Sequence, residues 1–141
     1  MAAEAIVFPP SVVASRLFDP VVERVGFPVL EPYVELVWLP VIGPSATWML
    51  RRLDAWLPPA PGRVMIDVAE LGQVLGLGGS VAANATVQRT MGRLVRFGLA
   101  EWSDQLRVRT VVPPLSSRRL ARLPARVREA HEALIAVRQA A

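Results

Sequence analysis

The sequence predicts one compact domain of mainly α-helical α+β fold with a small β-hairpin. Three observations predict it. Asp67-Val-Ala-Glu70 has the form of a capping box and opens a helical run. A glycine-rich turn and a second amphipathic run follow, to Phe97-Gly98. Two short β-prone runs, Leu99–Trp102 and Leu106–Val112, are then joined by the polar Ser103-Asp-Gln105.

Length and composition bound the rest. The chain has 141 residues, is 52% hydrophobic and 20% charged, and has a mean hydropathy of +0.36. A chain of that size and content can bury a real core. It has no cysteine and one histidine, which excludes a disulfide framework, a thiolate zinc site and a multi-histidine metal site. Ser/His/Asp hydrolysis has only His131 to draw on, with no nucleophile motif near it. No enzyme and no cofactor are expected. The N-terminus lacks the features of a signal peptide. The most apolar stretch, 27–44, is broken by Pro28, Pro32, Pro40 and Pro44, so no membrane span is expected. The expected location is cytoplasmic.

Taken in order, residues 1–44 form a proline-rich apolar arm, with short helices expected at 11–18 and 20–25. Tyr33–Leu39 fits either a strand or a helical turn. The arm is a candidate for packing on the domain, for dimerisation or for docking on a protein partner. Pro44 then starts a helix over 45–57, on which Trp48 or Met49, Leu53, Trp56 and Leu57 share a face. Arg63–Ile66 reads as a brief strand. The capping box opens a helix at 68–75, with Ile66 and Leu71 at the staple positions. Ser80 or Asn84 caps a second helix that runs to Phe97. The hairpin spans 99–112. Residues 113–141 form a helical extension over 116–139, with a break or restart at Pro124. Trp38, Trp48, Trp56 and Trp102 are expected in the core, and His131 on a helix surface.

The charge is lopsided. All 16 basic residues are arginine. Residues 1–70 hold 5 Arg against 8 acids, and residues 71–141 hold 11 Arg against 4 acids. The second half is therefore suited to a polyanion. On the helix at 81–97, Val87, Met91, Leu94 and Val95 form the apolar stripe. Thr86, Arg89, Arg93 and Arg96 lie on another face, and the helix carries no acid. Gly92 lies inside it, at a cost of about 1 kcal/mol relative to Ala. Either close helix packing or close approach of a phosphate accounts for that residue. On the hairpin, Arg107 and Arg109 point opposite to Leu106 and Val108.

Asp67-Val-Ala-Glu-Leu-Gly-Gln-Val-Leu-Gly-Leu-Gly78 followed by Thr86-Val-Gln-Arg-Thr-Met-Gly-Arg-Leu-Val-Arg-Phe-Gly-Leu-Ala100 resembles the winged helix-turn-helix domain over 45–112. The tail from Val112 to His131 is similar to that of actinobacterial winged-helix proteins. The resemblance implies double-stranded DNA as partner, read by the helix at 81–97 with a basic wing beside it, and a homodimeric transcriptional regulator placed on the nucleoid. An arginine row suits guanine O6/N7 or phosphate. Gln88 and Asn84 suit adenine. The candidate DNA-binding residues are Ser80, Asn84, Thr86, Gln88, Arg89, Arg93, Arg96, Arg107 and Arg109. Two other readings fit the same composition: a winged-helix interaction or assembly module, and a nonspecific nucleoid-type DNA binder.

Overall fold

The computed structural model describes residues 6–141; the first five residues of the expected arm lie outside them. It is an α+β fold in which a four-stranded sheet packs with helices around one core.

The chain starts with a strand where a helix was expected. β1 (Ser11–Leu17) lies between Pro10 and Pro20, with Val12 and Ala14 buried at alternate positions. Seven residues with this period-2 burial suit a strand better than two helical turns. α1 (Pro20–Val25) follows as expected. Asp19 caps it, its Oδ1 accepting from the Val21 and Val22 amides at 3.0 and 3.3 Å. β2 (Phe27–Pro28) pairs antiparallel with residues 111–112.

The ambiguous Tyr33–Leu39 stretch is helical. A π-helical turn, Val34–Trp38, runs into α2 (Leu39–Ile42). Pro40 has no N–H to give to the carbonyl four residues back, and its ring crowds that carbonyl. The Leu39 amide instead bonds the Val34 carbonyl, and the turn widens. Gly43, at φ +85°, makes the sharp corner into α3 (Pro44–Trp56). Met49, Leu50 and Leu53 of α3 are fully buried, while Trp48 points out at 58% exposure. Of the four tryptophans only Trp38 is fully in the core; Trp56 and Trp102 are half-buried.

β3 (Arg63–Asp67) pairs antiparallel with β1. Asp67 then caps α4 (Val68–Val74), its Oδ1 accepting from the Glu70 amide at 3.1 Å. A Cβ on Gly72 would stand 2.4 Å from the Gly78 carbonyl oxygen, so the turn closes directly on α4 at a residue with no side chain. The second helix is shorter than expected. Residues 80–85 form turns, and α5 runs Thr86–Arg96 from Ala85, with no side-chain cap. Val87, Met91 and Leu94 of α5 are buried as the apolar stripe requires, and Val95 is half-buried.

The hairpin is β4 (Ala100–Trp102) with β5 (Leu106–Arg109). β6 (Val111–Val112) leaves it to pair with β2. β1 lies parallel to β5, so the N-terminal segment stands between β3 and the hairpin. The tail has two helices, α6 (Ser117–Leu120) and α7 (Ala125–Ala140), with the restart after Pro124. Phe8, Phe27, Tyr33, Val34 and Ile42 are buried among the residues of the later elements. The apolar side chains of residues 6–44 thus contribute largely to the chain's own core. Among the described residues no helix is long and apolar enough to cross a membrane, and no three His, Cys, Asp or Glu side chains gather into a metal-binding group.

Candidate nucleic-acid interface

α5 is held by its buried stripe against α3, α4 and β4, which fixes the direction its other face takes. At 100° per residue, Ala85, Arg89, Gly92 and Arg96 share one outward line. Arg89 and Arg96 are exposed. Arg89 folds back on the start of the helix, donating from one NH group to the Asn84 carbonyl at 3.0 Å and from the other to Thr86 Oγ1 at 3.4 Å. Gly92 stands between the two arginines, and a Cβ built on it would meet nothing within 4 Å among the described residues. Close helix packing is therefore not what keeps this position small.

Other members of the expected set are placed differently. Gln88 is a correction: its side chain is 1% exposed and out of reach of any base edge. It accepts from the Phe8 amide and donates to the Phe8 carbonyl, both at 2.8 Å, and donates again to the Val81 carbonyl at 3.2 Å. Arg93 is half-buried and donates to the Ile42 carbonyl at 3.3 Å, closing the C-terminal end of α2. Thr86 is half-buried beside Arg89. Ser80 and Asn84 are exposed on the turn before α5, where Ser80 Oγ accepts from the Ala82 amide at 3.2 Å.

The two hairpin arginines also separate. Arg107 is exposed and faces its cross-strand neighbour Glu101 at 2.7 Å. Such a surface pair is worth about 0–1 kcal/mol and opens readily for another anion. Arg109 is only 16% exposed, donating to the Gly98 carbonyl at 2.8 Å and facing Asp19 Oδ2 at 3.5 Å. The Val22 amide holds the Asp19 carboxyl below its ordinary range, with help from the Val21 amide and Arg109 and against desolvation, which raises it. Arg109 therefore ties the end of β5 to the start of α1. Between α5 and the hairpin lies an open cavity of about 440 Å3, with Val95, Gly98, Glu101 and Arg107 on its walls.

A basic group that the sequence offers at the start of its last expected helix, as an extension of the basic surface, lies at the far end of α5. Arg119 stacks over the Phe97 ring at 4.9 Å, and Arg118 and Arg122 stand beside it. The signal for it was the Arg118-Arg119 pair with Arg122 one turn later. His131 is not a plain surface residue. Its Nδ1 lies 2.7 Å from the hydroxyl of Tyr33, which also accepts from the Leu115 amide at 2.8 Å. Burial pushes the Tyr33 phenol above its ordinary pKa, opposed by the Leu115 bond.

The surface that remains consists of Arg89, Gly92 and Arg96 on α5, Ser80 and Asn84 before it, and Arg107 on the hairpin. It offers guanidinium donors and a recess. No protein family, curated protein or solved structure matches this chain.

Proposed function

We propose that the chain is a double-stranded-DNA-binding protein of winged helix-turn-helix type that presents α5 to the major groove and the β4–β5 hairpin to the flanking backbone. The observation that carries this reading is the outward line of α5, where Arg89 and Arg96 stand exposed on either side of Gly92 with no acid on the helix. A helix fits the major groove, about 12 Å wide, and a guanidinium there meets guanine or phosphate. The succession α3, β3, α4, α5 and hairpin supports the reading, as does the excess of 11 Arg over 4 acids in residues 71–141. A single domain covers a short site, so a transcriptional regulator of this kind would act as a homodimer on paired half-sites. Its role is binding rather than catalysis. The test is titration of a labelled random duplex at two salt concentrations. Tight binding that weakens steeply with salt supports the reading, and no binding at low salt overturns it.

A second reading, a protein-interaction module, is favoured by Trp48, which is 58% exposed on α3. Large aromatics are enriched at interfaces. Loss of a partner on Trp48→Ala, with duplex binding intact, would separate the two.

A further inference from the structure

We infer that Arg118, Arg119 and Arg122 form a phosphate site, and that its ligand is a phosphodiester of the duplex backbone beside the α5 contact. The second half of this inference rests on the proposed function. Together with Ser116, the three arginines line one surface cavity of about 230 Å3. A water occupies about 30 Å3 of liquid, so a phosphate group and several waters fit. The cavity walls are cationic, and Ser116 Oγ already accepts from the Arg119 amide.

Three observations point to an anion. Among the described residues no carboxylate lies within 4 Å of any of these three neighbouring guanidiniums; of the chain's arginines only Arg16, Arg51, Arg107 and Arg109 have one. Arg118 on α6 and Arg122 in the turn just after it are both exposed and line the same cavity, so like charges face one another there. Arg119, though exposed, stands with its guanidinium over the Phe97 ring. Guanidiniums bind phosphate oxygens in pairs, and an anion between them removes the repulsion. Phe97 directly follows Arg96, the last residue of α5. A duplex lying on α5 would thus pass its backbone near this cluster.

The experiment compares the full chain with the Arg118→Ala/Arg122→Ala variant. Arg119 is left in place because it packs on Phe97. Duplex affinity is measured from 50 to 200 mM salt, and melting temperature is measured with and without inorganic phosphate. Each phosphate contact contributes about 0.9 to the salt slope, so losing two should make the wild-type affinity drop over that range about twelvefold larger than the variant's. The loss should be uniform across duplex sequences, and Arg118→Lys/Arg122→Lys should restore it. An unchanged slope with unchanged phosphate response overturns the site. An unchanged slope with phosphate protection lost overturns the backbone assignment and makes free phosphate the ligand. If the wild-type chain binds no duplex, the functional reading fails, and the phosphate response alone decides whether the site exists.

Discussion

Gln88 and Phe8 are joined by two 2.8 Å hydrogen bonds, the side-chain amide of one meeting both backbone groups of the other. The same Phe8 ring meets Trp102 edge-on at 5.0 Å. The N-terminal segment is thereby fastened to the helix proposed to read DNA and to the hairpin beside it. A polar side chain that looked suited to adenine is a structural clasp.

Gln88→Ala should therefore destabilise the chain by about 2–4 kcal/mol in denaturant unfolding, because it leaves both backbone groups of Phe8 without a partner. A base-reading Gln88 would give the opposite pattern: unchanged stability and weakened, less selective DNA binding.

The Asp19 cap, through the Val22 amide first and the Val21 amide and Arg109 after it, sets an acid dependence. The Asp19 carboxyl is held below its ordinary value of 3.8 in the folded chain, so its contribution is complete above that value and is lost as pH falls through the lowered one. Asp19→Ala should be less stable than wild type near neutrality, and the gap between the two should close at acid pH below 3.8. A gap that stays constant through that range would show that the carboxylate charge contributes nothing.

Gly92 separates folding from binding. Nothing among the described residues would meet a Cβ there, so Gly92→Ala should stabilise the helix by about 0.4–1 kcal/mol. If a groove wall or phosphate approaches this recess, the same substitution should weaken duplex binding. Increased stability with unchanged affinity would show that nothing comes close at Gly92.

Tyr33→Phe removes the hydroxyl that receives the Leu115 amide and meets His131. The amide is then left unpaired in the interior. The expected cost is about 1–3 kcal/mol by denaturant unfolding, with duplex affinity unchanged. No loss of stability would show that these bonds carry no net weight.

Much of the local structure was legible in the sequence. The Asp67 cap, the buried stripe of α5, the hairpin and the restart at Pro124 all follow from side-chain spacing within a few residues. What was not legible depends on partners far along the chain. β1 is a strand because it lies between β3 and β5, and β5 is about ninety residues away in sequence. Gln88 is buried because the N-terminal segment crosses it, and it flanks the apolar stripe at a position where a polar residue reads as outward. Arg93 and Arg109 lie on the faces the periodicities gave them, but the distant Ile42 carbonyl takes up a donor of Arg93, and the Gly98 carbonyl and distant Asp19 carboxylate those of Arg109. A helical wheel shows which way a side chain points and not what another segment has placed there. The early end of the expected second helix failed for a local reason. Ser80 engages the Ala82 amide in a turn of its own, and the helix begins only at Thr86.

The most direct test of the central claim is duplex binding by Arg89→Ala/Arg96→Ala at two salt concentrations, alongside thermal unfolding. Both residues are exposed, and neither supports the core. The account predicts at least a tenfold loss of affinity, about 1.4 kcal/mol, with a shallower salt slope and a nearly unchanged melting temperature. Affinity and slope equal to the wild type would contradict it.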